Sequence, residues 1–361
     1  MTNCANVGTR DDPHAQPREA RRLPLLLHSM SVFRELFEII FAGRDIGTVV
    51  EVGVESGKVS GLYLELGASE VYCIDPHPGD DLRAALAGND RLHLVARPSP
   101  QALADLPVAD LYVLDGDHNY AVVHQEVGWV QRNAPDAVIV LHDVLWPCGR
   151  RDLYYQPSPL PDQDRHPASE DGPTVWHDEL TPGGLVGAGA YTMAAHAGGE
   201  RNGVLTAVED AIAGSDGDWQ LAVVPAVFGM GVLVRRSDAA TELLERLRPY
   251  TQSRLLATME HNRIALYTRV LQQQYDAVAQ ADNTDRLAET VTGQRREIER
   301  LRSELASVAG RHTAELEALQ RENERLRALL NRRLRPQVAA KLTDLGRAAT
   351  AQLRRNGSHP S

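Results

Sequence analysis

Five short apolar runs punctuate the first part of the chain: Thr48–Val52, Val71–Ile74, Leu92–Val95, Asp110–Leu114 and Ala137–Leu141. Each is nearly continuous in Val, Ile and Leu rather than alternating with polar residues, the pattern of strands buried on both faces of a sheet. The stretches Ser56–Gly67 and Tyr120–Asn133 between them are long enough for crossover helices. Upstream, Val32, Leu36, Ile39 and Ile40 recur at helical spacing and predict a helix over about Ser31–Ala42. Downstream, a helix near Gly203–Ala213 and strands at Trp219–Val224 and Gly231–Val234 complete the alternation. The pattern predicts an α/β fold: a doubly wound, Rossmann-like sheet with helices on both faces.

Two segments break this rhythm. Residues 146–203 hold seven prolines, from Pro147 to Pro182, and the glycine-rich run GGLVGAGA, the composition of a functional lid or insert. From Thr251 onward the texture turns helical for about eighty residues. Within it Leu287, Val291, Gln294, Ile298, Leu301, Leu305, Val308 and His312 alternate at steps of three and four. After an extra shift of four, Leu316, Leu319, Asn323, Leu326 and Leu330 continue the seam. The eleven-residue step from Leu305 to Leu316 is a stutter that relaxes the supercoil locally. A two-position seam kept over six heptads predicts a coiled coil, and Asn323 at a core position favours a parallel, in-register dimer. Pro336 is expected to end that helix. The resulting division is a flexible leader at 1–25, a sheet domain at 26–240 carrying the 146–203 insert, a helical connector at 241–279, the coiled coil at 280–335 and a tail at 336–361.

Composition changes this picture in three ways. The net charge of −11 is unevenly spread. From Gln280 the chain holds 16 basic and 11 acidic residues, leaving 22 basic against 38 acidic before it. So acidic a body is a poor general binder of nucleic acid, and no specific nucleic-acid partner is expected. The basic tail is free to touch anionic lipid or polymer, or to be a solvated end. The 361 residues contain no run of about 18 apolar positions, and hence no transmembrane segment. The polar N-terminus lacks the apolar core of a signal peptide, and three cysteines, Cys4, Cys73 and Cys148, are not in metal spacing. A cytoplasmic location is therefore expected.

The chemistry gathers where the apolar runs end. Thr48–Val52 empties into Gly53, and Gly57 opens the next helix; a glycine turn after the first strand sits where α/β sheets bind ligands. The turn holds fewer glycines than a dinucleotide fingerprint needs. Asp75 ends the second run, 24 residues after Glu51, where a carboxylate can accept both hydroxyls of a ribose or cap the following helix. Further on, Asp115, Asp117 and His118 follow one strand, and His142 and Asp143 follow the next. If those strands are neighbours, the five converge at one sheet edge. Carboxylates suit Mg²⁺ or Mn²⁺, imidazole suits softer divalent metals, and a histidine there is a natural general base. Helix capping is the structural alternative. Behind the second cluster, Gly149–Tyr155 (GRRDLYY) places Arg150 and Arg151 to clamp an anionic acceptor and Tyr154 to stack on a sugar ring. The arginines are equally suited to pair with Asp152 and Asp164 and hold the insert folded.

In this order and spacing, EVGVESG (Glu51–Gly57), CIDP (Cys73–Pro76), LYVLDGDHNY (Leu111–Tyr120) and VIVLHDV (Val138–Val144) resemble the class I S-adenosylmethionine-dependent methyltransferases. The DGDH/HD pair resembles a branch of bacterial O-methyltransferases that act on antibiotics, sugars and surface glycans, several of them metal-dependent. The resemblance spans about Thr48 to Val234. It implies S-adenosyl-L-methionine as cofactor, with Glu51, Gly53 and Gly57 bordering its methionine part and Asp75 holding its ribose. It implies Mg²⁺ or another divalent cation at Asp115 and Asp143, with His142 standing where such members tend to carry an acid, and His118 as the base. The acceptor it implies is a hydroxyl on a sugar, surface glycan or natural product. The expected assembly is a homodimer through residues 280–335, with a glycan-assembly protein as a further possible partner. Two other readings use the same residues: an enzyme like the cephalosporin hydroxylases on the same fold, or a scaffold working through the coiled coil.

Overall fold

The computed structural model describes residues 14–356. Of the leader expected at 1–25, residues 1–13, with Cys4, lie outside the described residues, and Ala15–Ala20 forms a short helix, α1. A single 3₁₀ turn at Met30–Phe33 runs into α2 (Arg34–Gly43), so the helix expected at Ser31–Ala42 is present with a tightened first turn. There follow β1 (Thr48–Val52), α3 (Lys58–Leu66), β2 (Glu70–Ile74), α4 (Asp80–Ala87), β3 (Leu92–Val95), β4 (Leu111–Leu114), α5 (Tyr120–Asn133) and β5 (Val138–Leu141). The insert supplies β6 (Leu153–Tyr155), β7 (Ala168–Ser169) and β8 (Tyr191–Ala194). Then come α6 (Val204–Ala213), β9 (Trp219–Val224), β10 (Met230–Arg235), α7 (Asp238–Thr251) and α8 (Arg254–Asn356).

Seven strands form one sheet in the order β3-β2-β1-β4-β5-β10-β9. All neighbours are parallel except β10, which runs antiparallel to both β5 and β9. This is a doubly wound, Rossmann-like sheet with helices on both faces. The reason the strands read as unbroken apolar runs is visible in the packing. Val49, Val71, Leu111, Val113, Val138 and Val140 bury one face against Leu36, Phe37, Leu62, Tyr63 and Leu243 of α2, α3 and α7. Val50, Val52, Ile74, Tyr112, Leu114, Ile139 and Leu141 bury the other against Val123, Val127 and Val130 of α5 and Ala207 and Val208 of α6. With helices on both sides, neither face can be polar.

The order reverses between β1 and β4, and a crevice beyond the carboxyl ends of strands at such a switch point is where open α/β sheets bind ligands. β1 pairs Val52 with Leu114, and β4 pairs Leu114 with Leu141. Gly53, Asp115 and His142, each the next residue along, therefore leave the sheet side by side.

The insert is ordered. β6, β8 and β7 make a small antiparallel sheet, and Gly172 bridges Thr181. Its anchor is Asp152, which is fully buried. The backbone N–H groups of Tyr120 and Gly203, at the starts of α5 and α6, both donate to its Oδ1 at 2.7 Å, and the Tyr154 hydroxyl donates to Oδ2 at 2.8 Å. Burial pushes the Asp152 carboxyl above its ordinary range, and these three donors work against that shift.

The chain divides into two compact units, residues 1–278 and 279–361. The stretch expected as a connector, 241–279, is α7 and the first turns of α8, and it packs within the first unit through Leu243, Leu247 and Ile264. In the second unit α8 continues as one helix, 103 residues in all, and Pro336 does not end it. A proline removes one N–H and crowds the preceding turn, yet the strong helix formers on both sides, Leu334 and Arg335 before it and Ala339, Ala340 and Lys341 after it, carry the helix through. The seam residues Leu301, Leu305, Leu316, Leu319, Leu326 and Leu330 all stand exposed along this helix.

Candidate active site

The glycine turn is built by the protein's own packing. Gly53 has φ of 83°, and a Cβ there would lie 2.2 Å from the Asp115 carbonyl oxygen, so only glycine lets the ends of β1 and β4 approach this closely. Gly57, at φ of 72°, caps α3, and its missing side chain leaves room for Leu82 and Leu86 of α4. Glu51 points down from β1 into the layer under α3. It is buried there, with the Ser60 hydroxyl donating to its carboxyl. Burial raises that carboxyl to about 8, against the pull of the Ser60 bond, so it is protonated at neutral pH. Glu51 thus lies beneath the turn rather than at its mouth. Asp75 follows β2, and its Oδ1 accepts the His77 backbone N–H at 2.9 Å.

Four of the sequence-selected residues come together at the ends of β4 and β5. His142 is buried, packed edge-on against Phe33. Its Nε2 lies 2.8 Å from the Val227 carbonyl oxygen. A carbonyl only accepts, so Nε2 carries a hydrogen and Nδ1 is turned to the carboxylates. Nδ1 stands 3.0 Å from Asp115 Oδ1 and 3.7 Å from Asp143 Oδ2. Burial works against a charge on this imidazole, but Asp115 and Asp143 outweigh it and raise His142 to about 10. Asp143, in the left-handed region at φ of 57°, also reaches His118: its Oδ2 is 3.2 Å from His118 Nδ1. His118 sits just before Asn119, whose side chain accepts the Val122 N–H and caps α5; this capping fixes the direction in which the DGDH segment leaves the sheet. Asp117 stands at the edge of the cluster, its carboxyl raised by burial and partly relieved by His118.

The donor set fits a divalent cation. One ligand atom each from Asp115, His142 and Asp143 lies within 4.8 Å of the others. The Val227 carbonyl holds the far side of the imidazole, as metal-binding histidines commonly require. Two carboxylate oxygens and one imidazole nitrogen suit Mg²⁺, Mn²⁺ or a related ion.

The insert residues are arranged otherwise than expected. Arg151 is buried and donates to the carbonyls of Ala194 and Asp178, at 2.6 and 2.7 Å. Tyr154 gives its hydroxyl to Asp152 and accepts the His166 N–H. Both side chains are engaged in holding the insert. Arg150 forms a two-pronged pair with Glu209 on α6, at 2.6 and 2.7 Å, rather than with Asp152 or Asp164. Asp164 instead meets Arg201. The tyrosine facing the cluster is Tyr155, its ring 6.0 Å from that of His118 and edge-on to Tyr191. On a short strand neighbouring side chains point to opposite faces, so the choice between Tyr154 and Tyr155 depends on which face meets the sheet, and the sequence does not contain that. Nor does any local signal link Asp152 to the starts of two helices.

Residues 50–144 match a family model described as a methyltransferase domain. No curated protein sequence matches the chain. Among solved structures, an O-methyltransferase from Bacillus cereus in complex with S-adenosylhomocysteine is similar at 13% identity and a TM-score of 0.36, over 61% of this chain and 88% of that one. A methyltransferase from Geobacter sulfurreducens is similar at 15% identity and a TM-score of 0.34, over 62% of this chain and 85% of that one. The Burkholderia thailandensis 1,6-didemethyltoxoflavin-N1-methyltransferase is similar at 12% identity and 0.32, over 57% and 77%. Scores this low carry neither substrate nor mechanism across.

Proposed function

We propose that the chain is an S-adenosylmethionine-dependent O-methyltransferase whose acceptor is a hydroxyl on a sugar, surface glycan or natural product. The observation that carries this reading is the His118–Asp143 pair beside Asp115 and His142, next to the Gly53 turn. Gly53 and Gly57 border the methionine end of the cofactor, with Glu51 supporting the turn from beneath, and Asp75 receives the ribose.

Methyl transfer breaks the bond between the sulfonium and its methyl carbon and makes a bond from the acceptor oxygen to that carbon; S-adenosylhomocysteine leaves. The acceptor's proton must go somewhere. His118 Nδ1 lies 3.2 Å from Asp143 Oδ2; with the ring proton on Nδ1, facing that carboxylate, Nε2 keeps its lone pair, the arrangement of a general base oriented by a carboxylate. A base so placed contributes about 10²–10⁴-fold, and alignment of the two reacting atoms contributes further. Asp115, His142 Nδ1 and Asp143 are the residues that would hold a divalent cation such as Mg²⁺. A cation there supplies a lowered acceptor pKa and a fixed orientation. The exposed seam of α8 supports a homodimer through residues 280–335, with Asn323 setting register.

Calorimetric titration with S-adenosylhomocysteine tests the cofactor assignment without knowledge of the acceptor. Saturable micromolar binding is the expected outcome, and no heat from a folded sample at several temperatures would sink the reading. His118→Ala is expected to keep that affinity within about twofold while turnover falls about 10²–10⁴-fold; normal turnover would remove His118 as the base.

A further inference from the structure

Beyond the cluster itself, one peptide group connects it to α8. The turn from Ala226 to Gly229 links β9 to β10. It holds three successive residues in the left-handed region: Val227 at φ of 47°, Phe228 at 63° and Gly229 at 92°. A β-branched residue is rare there, and such a conformation persists only where its surroundings over-determine it. The peptide joining Val227 to Phe228 is bonded at both ends. Its carbonyl accepts Nε2–H of His142 at 2.8 Å, and its N–H donates to Glu260 Oε1 at 2.8 Å.

Glu260, in the second turn of α8, is buried and held in its turn. Arg263 donates Nε to its Oε2 at 2.7 Å and Nη2 to its Oε1 at 2.6 Å. The same guanidinium lies 4.5 Å over the Phe228 ring and donates to the Leu27 carbonyl at 3.1 Å. A peptide plane gripped by a carboxylate at its N–H cannot turn its carbonyl away. Charge at the donor end also strengthens the bond at the acceptor end.

We propose that Glu260 is a positioning residue for the active-site cluster: through the Val227–Phe228 peptide it fixes the ring of His142, and so aims Nδ1 at Asp115 and Asp143. This rests on the proposed function for its catalytic meaning, but the structural link stands by itself. Neither Glu260 nor the turn touches a reacting atom. The role belongs to orientation, in the way that carbonyl partners of metal-binding histidines fix ring and tautomer.

The test uses the full chain labelled with ¹⁵N-histidine. The His142 Nε2–H resonance is assigned by its loss in His142→Gln. In the wild type this buried, bonded proton is expected to exchange slowly with water. In Glu260→Ala its exchange is expected to accelerate about tenfold or more, the factor that follows from losing a hydrogen bond to a charged group. Glu260→Asp keeps the charge opposite Arg263 but withdraws the oxygen by one methylene, and is expected to do the same if the alanine variant fails to fold. A folded Glu260→Ala or Glu260→Asp chain whose His142 resonance neither shifts nor exchanges faster would overturn the proposal and leave Glu260 a packing residue. Titration of the wild type with S-adenosylhomocysteine examines the methyltransferase reading separately, so that the two can fail independently.

Discussion

Glu51 offers a quantitative check on the glycine turn, because its carboxyl is buried with only the Ser60 hydroxyl bonded to it and stands at about 8 in the folded chain. In the unfolded chain it titrates near its ordinary value of 4.5. Between those values the folded state holds a proton that the unfolded state has lost, so stability must fall as pH rises. The contribution is fully present below about 4.5 and is lost by the time pH passes about 8. Glu51→Gln keeps an oxygen for Ser60 and removes the titration. Each pH unit inside the window is worth about 1.4 kcal/mol, so the variant should gain roughly 3–4 kcal/mol on the wild type between pH 5 and pH 8, having matched it at pH 5. Burial likewise raises Glu126 to about 8, and His142 stands at about 10, but both are shared by the two proteins and cancel in the difference. The assay is urea unfolding followed by tryptophan fluorescence. Trp129, Trp146, Trp176 and Trp219 all lie before residue 279, so the signal reports the first unit alone. Parallel stability curves for the two proteins across this range would mean that Glu51 is ionised in the folded state, and the placement beneath the turn would be wrong.

Three further outcomes are expected. Leu301→Asp with Leu319→Asp puts four charges into the seam of a dimer and should give a monomer by sedimentation equilibrium; an unchanged mass would refute pairing through this stripe. Arg151→Ala strips donors from the Ala194 and Asp178 carbonyls and should cost about 2–4 kcal/mol in urea unfolding. A loss within 0.5 kcal/mol, roughly that of a surface change, would favour Arg151 as an acceptor contact over a structural role. Mn²⁺ binding, followed by its paramagnetic resonance signal, should tighten up to about tenfold per unit from pH 7 to 9, because the cation must displace a proton that His142 holds up to about 10. An affinity flat across that range would exclude His142 as a ligand.

How much of this was legible in the chain differs from element to element. β1, β3, β9 and α5 coincide with the runs read from hydrophobic pattern alone, because strands covered on both faces have nowhere to put a polar residue. The DGDH and HD clusters were legible for a related reason: polar residues that follow a buried strand at once must stand at the sheet's edge. Their meeting required β4 and β5 to be neighbours, and pairing of Leu114 with Leu141 supplies that. In the insert, contacts between residues distant in sequence are not legible. Nothing near Arg151 in sequence announces that its partners are carbonyls 27 and 43 residues away. Pro336 taken by itself predicts a stop, but the good helix formers on both sides of it absorb one lost bond.

Sequence by itself thus determined the layers, the strand ends and the residue types available for chemistry, since burial on both sides of a sheet writes itself into a local pattern. Only the tertiary structure decided which of two adjacent tyrosines faces His118, that Glu51 lies under the turn, and that one peptide between Val227 and Phe228 ties His142 to Glu260. The last of these depends on hydrogen bonds between residues 32 and 85 positions apart, where geometry rather than composition selects the partner.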